Sequence, residues 1–206
     1  MKKLGILAGA LCLLVIAGLW VWRFQITEEE RVQTADVFYS AGEAVPFGDN
    51  FFWSDSENAN GYTITVDSAQ TRNVREFLEE NGSSWESVYP ETEESLPRSE
   101  MVYLVTATVK NESNEDGMVQ FGNFMMTSGS ILLQLDGTLN NFSAPELANA
   151  GSFVLPVGKE RTFTFAFTPD SATVAADAKG LYRRMEKGDF YLCISQVPER
   201  RLIALP

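Results

Sequence analysis

The strongest strand signal in the chain is the stretch 101–110, Met101-Val102-Tyr103-Leu104-Val105-Thr106-Ala107-Thr108-Val109-Lys110. β-Branched and aromatic residues dominate it, and such residues favour extended backbone. Its first half is apolar at every position, which indicates that both faces of the strand are covered. Residues 111–117, Asn-Glu-Ser-Asn-Glu-Asp-Gly, then predict a turn. We therefore place this strand in the interior of a β-sheet.

Two further segments alternate between apolar and polar residues, as half-buried strands do. One is 61–69, and the other is 161–168, where Phe163, Phe165 and Phe167 share one face. Three phenylalanines at period two are typical of a core, so we expect these rings to be buried. Shorter strands are predicted at 118–127, 130–135, 153–155, 190–197 and 201–205.

Helical signals are few. A short helix is predicted to begin at Asn73, which suits an N-cap, and to end at Gly82, which suits the residue after a C-cap. Residues 170–187 have only partial helical spacing, and 83–98 predict a polar loop. Seven or eight short strands with one or two short helices predict a mostly β fold, an antiparallel immunoglobulin-like β-sandwich.

The N-terminal segment predicts a single transmembrane helix. No charged residue occurs from Leu4 to Trp22, a length that at about 1.5 Å per residue is close to the thickness of a bilayer core. Lys2 and Lys3 precede the run, and no pair of small residues follows it to form a cleavage site. The expected organisation is a signal anchor at 1–24, a juxtamembrane stalk at 25–41 and an extracellular domain at 42–206. A cleaved signal peptide, giving a secreted protein, is the alternative.

The net charge argues against a nucleic-acid partner, and the positions of the two cysteines exclude a disulfide between them. The formal net charge of −12 repels phosphate backbones, so we expect no nucleic-acid partner. Cys12 lies inside the predicted membrane helix and Cys193 in a predicted strand of the outer domain, so the two cannot form a disulfide. Cys193 is expected to act as a small buried hydrophobic residue.

The chain contains no histidine, which excludes every Ser-His, Cys-His and His-ligated metal site. It also lacks Gly-x-Ser-x-Gly, a phosphate-binding glycine loop and Cys-x-x-Cys. We therefore expect a protein that is not an enzyme and uses no cofactor. A hydrolase that acts through two carboxylates remains the catalytic alternative, since acidic residues are numerous.

Two candidate sites lie close together in the sequence. Phe51, Phe52 and Trp53 are three consecutive aromatics that cannot all face one core in an extended segment, so at least one is a candidate for contact with a ligand or partner. The alternative is a loop that buries all three. A weak calcium site is predicted from crowded oxygen donors, with a polar turn as the alternative. The donors are Asp49, Asp55, Glu57, Asn58 and Asn60.

Several segments resemble known families. Residues 42–52, Gly-Glu-Ala-Val-Pro-Phe-Gly-Asp-Asn-Phe-Phe, and 56–66 are similar to the opening of an uncharacterised family of membrane-anchored or secreted proteins of Gram-positive bacteria, a domain of unknown function. The strand from Val102 to Asn114 and the turn 155–159 that leads into 163–167 resemble telokin-like extracellular domains. The resemblance implies an immunoglobulin-like fold outside the membrane, and it implies no catalytic residue.

The leading hypothesis is a non-catalytic extracellular interaction domain, tethered to the cell membrane, that binds a protein or envelope partner. The alternatives are a carboxylate-dependent cell-wall hydrolase and a structural or stress-related envelope protein without a discrete ligand. The first predicts an exposed apolar or aromatic patch, and the second predicts a cleft with two converging carboxylates. The third predicts neither feature.

Overall fold

A computed structural model describes residues 34–54, 56–90, 96–188 and 190–206, together with Gly18. The strands are β1 (Ala35–Tyr39), β2 (Val45–Pro46), β3 (Tyr62–Asn73), β4 (Met101–Asn111), β5 (Met125–Ser128), β6 (Ile131–Leu135), β7 (Glu160–Pro169), β8 (Tyr191–Cys193) and β9 (Glu199–Ala204). The helices are α1 (Val74–Glu80), α2 (Trp85–Val88), α3 (Gly137–Ser143) and α4 (Ser171–Lys187).

The nine strands of the described residues join one sheet, in the order β1-β9-β8-β5-β6-β7-β4-β3-β2. β1 pairs with β9 in parallel, and the other pairs are antiparallel. The predicted interior strand is β4, which is paired with β3 on one side and with β7 on the other. The mostly β class is therefore confirmed. The immunoglobulin-like sandwich is not confirmed, because the strands form one continuous sheet.

The sheet must curl strongly, because its two edge strands are neighbours in the chain. Only residues 40–44 separate β1 from β2. Six Cα steps span at most about 22 Å, whereas eight strand spacings in a flat sheet would span about 38 Å. An isolated bridge between Phe51 and Val197 also joins the segment after β2 to the β8–β9 connection. The two edges of the sheet are thereby drawn towards each other.

The main core lies inside the curled sheet. Phe163, Phe165 and Phe167 of β7 are all buried there, as the sequence predicts. α4 contributes Leu181 and Met185 to the same core. Cys193 is also buried, as predicted.

A second, smaller core lies on the outer face of part of the sheet. Leu104 of β4 and Ala166 of β7 point outward and are buried under the helices. Phe77 and Leu78 of α1 and Leu139 of α3 cover them. This part of the outer face is therefore closed by helices.

The prediction of one or two short helices is wrong, since the described part of the chain contains four. The helix predicted from Asn73 is α1, and the Asn73 side chain accepts hydrogen bonds from two backbone N–H groups of its first turn. α2 lies within the predicted loop 83–98, where Ser84 forms a capping box with Ser87. α4 is interrupted by non-helical backbone at Asp177, which explains the partial spacing of 170–187.

β1 lies within 25–41, the segment predicted to be a stalk, so the sheet begins earlier in the chain than the predicted boundary at residue 42. The predicted membrane helix, from Leu4 to Trp22, lies outside the described residues apart from Gly18. Among the described residues, no helix is both long enough and apolar enough to cross a membrane.

Candidate functional site

The three consecutive aromatics predicted as a contact site occupy three different environments. Phe52 is buried, with its ring 6.3 Å from that of Phe124. Phe51 is half-buried and forms a backbone bridge to Val197. The side chain of Trp53 is 73% exposed. One of the three is thus available for contact with another molecule, and the other two belong to the fold.

Glu57 explains why the run divides in this way. Its Oε2 accepts a hydrogen bond of 3.2 Å from the backbone N–H of Phe52, and its Oε1 accepts one of 3.0 Å from that of Trp53. Both bonds fold the chain into a tight turn, in which one ring points into the core and the next points out. The carboxylate of Glu57 is therefore engaged in fixing the turn.

The other predicted calcium ligands lie in the same region, and their oxygens accept hydrogen bonds from neighbouring groups. Asp49 Oδ1 accepts from Asn60 Nδ2 at 2.7 Å, and Asn58 Oδ1 accepts from Asn114 Nδ2 at 3.3 Å. Asp55 lies outside the described residues. Within the described ranges, no group of three or more acidic or cysteine side chains is placed to hold a metal ion.

A different surface carries an exposed aromatic pair, and it lies on the outer face of β1, β9, β8, β5 and β6. Directly paired residues of neighbouring strands point to the same face. Cys193 pairs with Met125 on one side and with Leu202 on the other, and Leu202 in turn pairs with Phe38. We define the outer-face patch as Phe38, Met125, Leu132, Tyr191, Cys193 and Leu202.

Two aromatic rings form the exposed part of this patch. Phe38 is 59% exposed and Tyr191 is 36% exposed, and their rings meet edge to face with centroids 5.2 Å apart. Between them in the sheet lies Leu202, which is only 2% exposed. An aromatic pair of this kind offers a large, rigid contact area, as the energetically dominant residues of protein interfaces do.

A cavity of about 340 Å³ opens beside the aromatic pair. Met125, Leu132 and Cys193 line its apolar part, and Asp36 and Arg200 lie among its polar residues. A volume of this size falls within the roughly 300–1,000 Å³ range of ligand pockets. The cavity can therefore receive a large side chain or a small apolar group.

The charges at the cavity neutralise each other. Arg200 donates to both carboxylate oxygens of Asp36, at 2.8 and 2.6 Å, and this bonding raises the pKa of the guanidinium. Burial raises the pKa of the Cys193 thiol to about 11. Because a nucleophilic cysteine must ionise near neutral pH, this thiol is suited to packing rather than to reaction.

The outer face of β4 and β7 differs in composition from the outer-face patch. Where no helix covers β4 and β7, the outward residues are threonines that bond across the strands. Thr106 and Thr164 hydroxyls lie 3.0 Å apart, and those of Thr108 and Thr162 lie 2.8 Å apart. The outward residues of the outer-face patch are apolar instead, and two of them, Phe38 and Tyr191, are exposed.

The sequence contains a feature that could have indicated the outer-face patch, although alternation within single strands does not identify it. Residues 190–194, Phe-Tyr-Leu-Cys-Ile, are apolar on both faces, just as the start of β4 is. In β4 the outward residues Leu104 and Val102 are covered by helices, whereas in β8 the outward residue Cys193 is buried and Tyr191 is exposed. Which of the two outcomes holds depends on the order of strands, which local patterns do not determine.

Comparison with known protein families matches residues 37–201 to a family described as Domain of unknown function (DUF5028). Neither the curated proteins nor the solved structures contain a match to the chain.

Proposed function

The chain belongs to the family described as Domain of unknown function (DUF5028), and we propose that it is a non-catalytic binding module whose outer-face patch docks a protein partner. One observation carries the proposal: Phe38 and Tyr191 form an exposed aromatic pair on the outer face of the sheet, above the buried side chain of Leu202. Phe38 and Tyr191 are its expected anchors, and the adjoining cavity is the expected receptor for a side chain of the partner.

The charged groups favour binding over catalysis. A hydrolase of the carboxylate type needs two acidic side chains facing one cleft, one of them with a raised pKa. The cavity holds Asp36, whose two oxygens are bonded to Arg200. The pKa shifts of Glu86 and Asp170 are both downward, because backbone N–H groups stabilise their carboxylates. These features serve positioning and capping rather than proton transfer.

The N-terminal sequence supports a location for this module. The uncharged run from Leu4 to Trp22, with Lys2 and Lys3 before it, is the basis for proposing a single-pass membrane anchor with the sheet domain outside the cell. The expected setting is the envelope of a Gram-positive bacterium, where the partner would be an exported or membrane-bound protein.

Affinity capture with matched charge substitutions tests the docking surface. The full chain and its Phe38→Glu and Thr162→Glu variants are expressed with a tag, cells are crosslinked briefly, and captured proteins are quantified by mass spectrometry. Phe38→Glu places a charge in the outer-face patch, and Thr162→Glu places the same charge on the threonine face. We expect at least one protein to be captured by the wild type and by Thr162→Glu and lost at least tenfold with Phe38→Glu. Equal capture by all three forms would contradict the proposal.

A further inference from the structure

A second exposed surface lies where three loops meet, and it is built from residues other than those of the outer-face patch. We define the loop tip as Trp53, Met118 and Val154, all of which are exposed apolar side chains. The isolated antiparallel bridge between Val119 and Phe153 places Met118 opposite Val154.

Trp53 belongs to the same end of the molecule. Its turn is held by Glu57, and Met118 donates from its backbone N–H to the carbonyl of Asn58, the next residue, at 2.9 Å. Glu57, Phe52 and Met118 also line one small surface depression. The loop tip is therefore one neighbourhood rather than three scattered side chains.

Buried asparagines hold the three loops in a fixed arrangement. Asn111 Nδ2 donates to the carbonyls of Asn114 and Leu155, at 2.7 and 2.6 Å. Asn114 Nδ2 donates to the carbonyl of Asn60 at 2.5 Å, and Asn114 Oδ1 accepts from the backbone N–H of Gly117. A loop surface that is fixed before binding loses little conformational entropy when a partner docks.

The charge around the loop tip is negative. Glu115 and Asp116 are exposed, and neither makes a hydrogen bond or an ion pair with any other described residue. In the same loop, Glu112 is paired with Lys110 at 2.9 Å. Two carboxylates next to exposed apolar groups thus face solvent on a chain whose net charge is −12.

We propose that the loop tip binds a cationic polypeptide segment in which lysine or arginine residues flank an apolar side chain. The apolar residue packs against Met118 and Val154, and the cations lie against the face of the Trp53 indole and beside the two free carboxylates. A cation over a tryptophan ring is attracted by the partial negative charge of the ring face. Opposite charge also increases the association rate, and this contribution falls as salt screens it.

The same charges argue against two other classes of occupant. Nucleic acids and anionic lipid surfaces bring negative charge towards Glu115 and Asp116, and like charges at short range oppose binding. The loop tip shares no residue with the outer-face patch, so this inference is independent of the proposed docking function. Each of the two proposals can therefore be confirmed or contradicted without the other.

Fluorescence anisotropy of three labelled twelve-residue peptides on the full chain tests the inference. One peptide alternates lysine and leucine, the second alternates glutamate and leucine, and the third alternates lysine and serine. We expect the lysine–leucine peptide to bind most tightly, and its affinity to fall at least fivefold between 50 and 300 mM salt, which are the two conditions of the assay. Trp53→Ala and the double variant Glu115→Gln/Asp116→Asn are each expected to weaken it at least fivefold.

Phe38→Ala is the matched control, because it removes an exposed ring from the outer-face patch and leaves the loop tip intact. It is expected to change the affinity of the lysine–leucine peptide less than twofold. Equal binding of the glutamate–leucine peptide, or unchanged affinity in the Glu115→Gln/Asp116→Asn variant, would overturn the inference. Loss of binding with Phe38→Ala but not with Trp53→Ala would assign the peptide to the other surface and would also overturn it.

Discussion

Asn114 shows how a single side chain organises a surface. It is buried within a loop whose sequence, Asn-Glu-Ser-Asn-Glu-Asp-Gly, predicts no more than a polar turn. Its amide joins 58–60 to 111–117, and a side chain at Gly117 would collide with the carbonyl of Asn58. The sequence predicts the turn because asparagine and glycine favour turns locally. The hydrogen bonds from Asn114 to Asn58 and Asn60 could not be predicted, because they join residues more than fifty positions apart.

Replacing Asn114 with alanine is expected to lower the free energy of unfolding by about 2–3 kcal/mol, because the buried backbone N–H of Gly117 and the carbonyl of Asn60 lose their partners. Urea denaturation of the full chain measures the change. Glu115→Ala, one residue away and exposed, serves as the control and is expected to stay within about 0.5 kcal/mol of the wild type. A change below about 1 kcal/mol for Asn114→Ala would show that the loops do not depend on this amide.

Cys193 gives a dependence of stability on pH whose sign can be worked out. Burial raises its pKa from an ordinary 9.0 to about 11. Because the folded state holds the thiol protonated, its contribution is complete below pH 9 and is lost as pH rises through 11. Two pH units correspond to a loss of about 2–3 kcal/mol. Tyr89, whose pKa burial also raises, titrates in the same direction.

The comparison that isolates Cys193 is the difference between the wild type and Cys193→Ala, since Tyr89 is present in both. The free energy of unfolding of the wild type is expected to fall more steeply between pH 9 and 11. Parallel curves for the two proteins would mean that the folded state does not hold this thiol protonated.

At the scale of elements, the strands were predicted better than the helices. Alternation identified β3 and β7, and a two-faced apolar run identified β4, because burial imposes a period of two on the sequence. Helices α2 and α3 have four and seven residues, too few for a period of 3.6 to be recognised. They are specified by their caps and by the tertiary contacts of their apolar residues.

Asp136 is the clearest example of such a cap. Its Oδ1 accepts from the backbone N–H groups of Thr138 and Leu139, both at 3.0 Å, and its Oδ2 accepts from the Thr168 hydroxyl at 3.1 Å. We expect Asp136→Ala to lower the free energy of unfolding by about 1–2 kcal/mol. Asp136→Asn keeps an acceptor for the helix and is expected to retain most of the stability. Thermal unfolding of the two variants measures the loss of stability in each. An equal loss in both would show that the charge of Asp136, rather than its capping hydrogen bonds, stabilises the fold.

At the scale of the whole molecule, the sequence predicts the mostly β class but not the arrangement of the strands. The parallel pairing of β1 with β9 joins the beginning of the domain to its end. A local sequence pattern cannot predict a contact between residues so far apart in the chain. This pairing places Phe38 next to Tyr191, so the candidate site arises from topology. By contrast, the sequence predicts that at least one of the three consecutive aromatics is available for contact, and the turn held by Glu57 makes Trp53 the exposed one.

The central claim is that the outer-face patch is covered by a protein partner when the chain is in its natural setting. Site-specific photocrosslinking in living cells tests this most directly, with benzoylphenylalanine in place of Phe38 in one full-length chain and in place of Thr162 in another. We predict a discrete crosslinked product of higher mass from position 38, and no such product from position 162. Absence of a product at position 38, or the same products from both positions, would contradict the account.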